Sequence, residues 1–115
     1  MRGIIACHCA ECRKVSGHYW AATSVADDDL HLERDDGLTW YRSSEAIKRG
    51  FCAKCGSTLF YKPLAEDRIV VSAGVLEAGS GLSMTNHAFA AEKGDYYDIA
   101  DGLPQYAEFT GGERA

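Results

Sequence analysis

The residues of this chain whose types and spacing point to chemistry are its five cysteines. Cys7, Cys9 and Cys12 stand together in Cys-His-Cys-Ala-Glu-Cys. Residues two apart on a strand project to the same side, so Cys7 and Cys9 can serve one metal while His8 points the other way. Cys9-x-x-Cys12 then closes the chain around the ion in a turn. Three thiolates with no adjacent fourth ligand suit a zinc site with an open fourth position, the arrangement of a catalytic zinc. Three thiolates exceed the charge of the dication and leave a soft, weak Lewis acid. A thiol entering the open position would lose its proton and become a nucleophile. On spacing alone, a structural zinc completed by His18 or a distant cysteine is the plainer alternative.

Cys52 and Cys55 form a second cluster in Phe51-Cys-Ala-Lys-Cys-Gly-Ser57. This is a zinc knuckle by form, its glycine permitting the tight turn that aims backbone N–H groups at sulfur. The pair supplies half of a tetrahedral site. Joined to Cys9 and Cys12 it would make a closed, ribbon-like site and leave Cys7 spare. A redox dithiol is a further possibility, but such motifs accompany a βαβ pattern that is missing here. An odd cysteine count and no secretion leader argue against a disulfide framework and for a reducing cytoplasm.

The elements that must position these residues are strands. Alternation marks Ile4–Cys7 and Tyr19–Val25, and further candidates are Ile47–Phe51, Thr58–Tyr61 and Ile69–Ala73. Leu30-His31-Leu32 and Leu38–Tyr41 flank the turn Asp35-Asp36-Gly37 and predict a hairpin. Ala10–Ser16 predicts a short helix closed by Gly17. Trp20 and Trp40 read as core, Asp27–Asp29 as a solvated turn, Asp101–Pro104 as a turn, and Thr110 onward as a frayed tail. The expectation is a single all-β or β-rich domain over residues 1–115.

The chain has 115 residues and a formal net charge of −5, with no basic run longer than Arg13-Lys14 or Lys48-Arg49. That balance speaks against nucleic acid and anionic membrane surfaces as partners. No apolar run reaches the roughly 18 residues of a membrane span. His87, Lys93, Asp95, Tyr96 and Tyr97 could wall a pocket, with Lys93 meeting a substrate carboxylate and a tyrosine donating a hydrogen bond. Taken singly, each reads more simply as a packed tyrosine or a solvated lysine.

Three ordered stretches carry a family resemblance: Cys7-His-Cys-x-x-Cys-Arg-Lys-x-Ser-Gly17, Gly37-Leu-Thr-Trp-Tyr-Arg-Ser43 and Arg49-Gly-Phe-Cys-x-x-Cys-Gly-Ser57. His87-Ala-Phe89, Lys93-Gly-Asp-Tyr-Tyr-Asp-Ile99 and Asp101-Gly-Leu-Pro104 extend it. From Gly3 to about Tyr106 the sequence resembles the glutathione-dependent formaldehyde-activating enzymes. The resemblance implies a β-tent fold of layered, short antiparallel sheets. It also implies a zinc site at Cys7, Cys9 and Cys12 that handles glutathione and formaldehyde as a carbon–sulfur lyase. Family members begin with a strand carrying Gly-x-Cys-x-Cys-Gly, whose cysteines join the later Cys-x-x-Cys around a structural zinc. This chain starts downstream of that strand, so Cys52 and Cys55, metal ligands in the family pattern, are expected to lack their partners and to be metal-free, oxidised to a strained disulfide, or completed by a neighbouring chain. An uncovered sheet edge would favour a homodimer. The competing function is a non-catalytic zinc module that binds a protein partner, and a third is a remnant that folds only as an oligomer.

Overall fold

A computed structural model describes every residue, Met1–Ala115. Its elements are β1 (Ile4–Cys7), α1 (Ala10–Ser16), β2 (Trp20–Ala26), β3 (Leu38–Arg42), β4 (Ile47–Cys52), β5 (Thr58–Pro63), β6 (Arg68–Ser72) and β7 (Met84–Ala88). Seven strands against one short helix make the fold β-rich. No helix is long and apolar enough to cross a membrane. The chain forms two compact units, Met1–Arg2 with Thr23–Leu76, and Gly3–Ala22 with Glu77–Ala115.

In the first unit β3, β4, β5 and β6 form an antiparallel meander, with the latter part of β2 beside β6. β6 is a continuous apolar run, and Ile69, Val70 and Val71 are all buried. Both faces of this strand are therefore covered, which explains a run of β-branched residues rather than an alternation. Phe60, Ile69 and Val71 form the core, packed by Val25, Leu30, Leu38, Leu59 and Leu76. A Cβ at Gly50 would lie 3.0 Å from both Phe60 and Trp40. The missing side chain lets those two rings stack at 5.9 Å between centroids.

The predicted hairpin around Asp35-Asp36-Gly37 does not form. Leu30–Leu32 is irregular, and β3 takes β4 as its partner, with Leu38 opposite Cys52. Leu30 packs on the core from its loop instead. Trp40 is likewise not core. It lies on the outermost strand, remains 37% exposed, and carries the Lys48 ammonium 4.2 Å over its ring. Trp20 is buried, as its strand pattern predicts. Asp27–Asp29 forms one 3₁₀ turn, where Lys62 Nζ donates to Asp27 Oδ2 at 2.6 Å.

In the second unit β1 lies between the first part of β2 and β7. It is antiparallel to β2 but parallel to β7, with Cys7 opposite Ala88. The parallel pair departs from the purely antiparallel layering that the resemblance implies. A strand that follows its neighbour by a long connection, not a tight turn, can enter the sheet in the same direction. β7 itself, Met-Thr-Asn-His-Ala, has no apolar alternation, yet Asn86 and His87 are buried. Asn86 Nδ2 donates to the adjacent Thr85 Oγ1 at 3.1 Å, and a residue distant in sequence, Thr110, donates from Oγ1 to Asn86 Oδ1 at 2.7 Å.

The C-terminal residues are not a frayed tail. Ala107 N–H donates to Glu113 O at 2.8 Å and Ala115 N–H to Gln105 O at 2.9 Å. Phe89 N–H donates to Glu108 O at 2.7 Å, so the same segment holds the end of β7. Phe89 itself turns the chain with φ +54°, the one non-glycine residue in the left-handed region.

Candidate functional site

The first cysteine cluster sits at a strand-to-helix junction. Cys7 ends β1, Cys9 caps the N-terminus of α1, and Cys12 lies one turn into it. The Cys12 N–H donates to Cys9 Sγ at 3.3 Å, so the cap is a sulfur where Ser or Asp is usual. Gly17, at φ +84°, ends the helix and returns its N–H to Arg13 O at 2.9 Å. This short turn brings the Sγ atoms of Cys7, Cys9 and Cys12 within 4.8 Å of one another.

The three sulfurs fit a metal. Zinc–sulfur bonds of about 2.3 Å place tetrahedral sulfur neighbours about 3.8 Å apart. Small χ1 adjustments therefore bring the trio onto one ion. Cys12 is buried and the other two are half-buried. Hydrogen bonding of the Cys7 thiol to the Cys12 and Cys9 sulfurs, then burial, pushes its pKa well above the ordinary value. A cation placed among the three sulfurs would offset that crowding, since metal binding deprotonates its ligands.

Between two of the sulfurs, His8 is turned away from them and is fully buried. All four of its hydrogen-bonding groups are engaged. Its N–H donates to Ala88 O at 3.0 Å and its carbonyl accepts Arg13 Nε at 3.1 Å. Its Nδ1 lies 2.5 Å from Tyr97 Oη and its Nε2 2.8 Å from His87 Nδ1. His87 continues to Asp101 Oδ2, 2.8 Å from its Nε2. Burial, with the neighbouring His87, His18 and Lys93, lowers the His8 pKa to about 4, so the ring is neutral at pH 7. The Leu103 N–H and then His87 hold the Asp101 carboxyl below its usual range.

Aromatic rings extend this cluster. Tyr19 lies 5.1 Å from the His8 ring, His18 lies 4.5 Å from Tyr19 and from Tyr97, and Tyr96 lies 4.7 Å from Tyr97. His18 reaches the Tyr96 hydroxyl at 3.1 Å and is not part of the sulfur group. Tyr96 is mostly exposed, so the wall ends at solvent. Lys93 is half-buried and anchored to its own loop. Its ammonium donates to Tyr97 O at 2.8 Å and Gly94 O at 3.1 Å, and sits 5.3 Å from the Tyr97 ring centre. Asp95, named with these residues on sequence, is exposed.

Cys52 and Cys55 lie in the first unit, at the end of β4 and in the turn after it. The knuckle shape is present: Gly56, at φ +81°, donates its N–H to Cys52 O at 2.7 Å. Cys55 is exposed, and its Sγ lies 3.0 Å from Ser57 Oγ, a contact that lowers its pKa. No third histidine, cysteine or carboxylate gathers with the pair. The group of sulfurs that gathers is Cys7, Cys9 and Cys12.

Neither composition nor periodicity marks Asp101 or Tyr19 for this cluster, although Asp101 opens one of the stretches that carry the resemblance. Asp101 reads as part of a turn and Tyr19 as part of a strand, and their ring and carboxylate contacts span distant positions. Compared with known families, residues 2–92 match the one described as Glutathione-dependent formaldehyde-activating enzyme. A comparison with curated proteins returns no match.

Proposed function

The chain belongs to the glutathione-dependent formaldehyde-activating enzyme family, and on that premise we propose a zinc-dependent carbon–sulfur lyase acting on the glutathione–formaldehyde adduct. The observation that carries this reading is the gathering of Cys7, Cys9 and Cys12 Sγ within 4.8 Å at one strand-to-helix junction. Three protein thiolates are a catalytic ligand count, and they favour a soft fourth partner such as a thiol. Zinc held there would supply a Lewis acid that lowers the pKa of a substrate thiol.

The reaction forms a C–S bond between the glutathione sulfur and the formaldehyde carbon. The C=O π pair moves to oxygen, and the thiol proton ends on that oxygen, giving S-hydroxymethylglutathione; the lyase direction is the reverse. The residues of this chain shape the surroundings. The Cys12 N–H stabilises negative charge on Cys9 Sγ. Lys14, exposed in the last turn of α1, supplies positive charge for a carboxylate of glutathione, next to Arg13, whose Nε is bonded to His8 O. The rings of Tyr19 and Tyr97 pack on His8, the residue between Cys7 and Cys9, and help to fix that part of the chain. Reduced glutathione and free thiolates place the activity in a reducing compartment such as the cytoplasm.

Exchange spectroscopy between free formaldehyde and its glutathione adduct tests this. The protein is expected to raise the exchange rate above that of buffer, where the uncatalysed addition already proceeds, and Cys9→Ser to return it to the buffer value. Equal rates with and without the protein would remove the named reaction.

A further inference from the structure

Asp101, His87, His8 and Tyr97 form one hydrogen-bonded chain whose inner part is buried. His8 is 0% exposed and His87 2%, while the Asp101 side chain is 37% exposed at the outer end. The direction of every bond in the chain follows from the carboxylate. An ionised Asp101 can only accept, so His87 carries its proton on Nε2 and donates to Oδ2. In a neutral His87 ring Nδ1 is then an acceptor and receives the Nε2–H of His8. His8 Nδ1 is in turn an acceptor and receives the Tyr97 hydroxyl proton. One half-exposed carboxylate thus selects the tautomer of two buried histidines and the donor direction of a tyrosine.

The end of this chain bears on the sulfurs. His8 separates Cys7 from Cys9 in sequence, and its backbone groups are bonded on both sides, to Ala88 O and Arg13 Nε. With both ring nitrogens also bonded, neither rotation of the ring nor a shift of its backbone is possible without losing a buried hydrogen bond. We propose that Asp101 is a positioning residue for the sulfur site, acting through His87 to lock His8 and thereby hold Cys7 and Cys9 in place. This rests on reading Cys7, Cys9 and Cys12 as the metal site. Partners beyond the ligands typically alter metal affinity by about 10–100-fold when removed.

Asp101→Asn is the informative substitution, because the other carboxylate oxygen accepts the Leu103 N–H at 3.0 Å. With the amide oxygen kept on Leu103, the amide NH₂ faces His87 Nε2, which must become an acceptor. The chain then runs backwards: His87 Nδ1–H donates to His8 Nε2, and His8 Nδ1–H donates to Tyr97. Long-range ¹⁵N–¹H correlation spectra of histidine-labelled, metal-bound protein read these tautomers directly. The wild type is expected to show Nε2–H on both His8 and His87, and Asp101→Asn to show Nδ1–H on both. Zinc affinity, measured by competition with a chelator, is expected to fall about tenfold in Asp101→Ala, where His87 loses its outer partner, and to stay near wild type in Asp101→Asn, which keeps every bond in reversed order. A wild-type His87 protonated on Nδ1, or zinc affinity within twofold of wild type in Asp101→Ala, would overturn the proposal. A wild type with the stated tautomers that binds no zinc would instead sink the metal reading, so the two failures are distinct.

Discussion

Cys7→Ser is expected to strip the protein of its zinc, whereas Cys52→Ser is expected to keep it. The trio gathers within one junction, and the knuckle gathers no third ligand. Structural zinc sites use four protein ligands, so two thiolates and two waters make a weak site. Zinc binding to full four-ligand peptides amounts to about 10–16 kcal/mol, or about 3 kcal/mol per ligand. Loss of one thiolate from a three-thiolate set then weakens binding by at least about 100-fold. Elemental analysis of protein purified without added zinc should give close to one zinc per chain in the wild type and in Cys52→Ser, and close to none in Cys7→Ser. Two tightly held zincs per chain, or loss of the only zinc in Cys52→Ser, would contradict this assignment.

The second large effect is on stability. His8→Ala empties a fully buried position and leaves His87 Nδ1 and Tyr97 Oη without their partner. A stranded buried polar group costs about 1–3 kcal/mol, and a large-to-small change in a packed interior adds about 2 kcal/mol or more. The sum is about 3 kcal/mol at least, a fall in Tm of about 10 °C or more for a chain of this size. His8→Phe separates the contributions, because it restores volume without the hydrogen bonds. It is expected to recover part of the loss, not all of it. Thermal unfolding in the presence of a chelator isolates the effect from metal binding. A Tm within 2 °C of wild type for His8→Ala would show that the buried chain contributes little.

How far the sequence disclosed this molecule depended on the range of the interactions. β1, α1, β2 and the strands from β3 to β6 announce themselves because their apolar and β-branched residues, and Gly17 at the helix end, act locally. The sulfur trio is legible for the same reason, since six consecutive residues contain all of it. β7 is not, because its polar residues are buried by partners elsewhere in the chain, Thr110 for Asn86 and Asp101 for His87. The false arm at Leu30–Leu32 shows the converse. Local alternation around a good turn was present, but β4 competed successfully for β3. Trp40 misleads because an aromatic residue on an outer strand has the same sequence pattern as one on a central strand. The least legible feature is the chain from Tyr97 through His8 and His87, whose links span 89 and 79 residues. No periodicity records contacts of that length. His8 could be assigned a direction away from the sulfurs, but not its partners.

The central claim is that Cys7, Cys9 and Cys12 hold a zinc whose remaining partner is a substrate thiol. X-ray absorption at the zinc edge, with and without glutathione, addresses it most directly. The account predicts three sulfur neighbours and one light atom in the free protein, rising to four sulfurs when glutathione is added. Four sulfurs before glutathione is added, or a count of three that glutathione leaves unchanged, would contradict it.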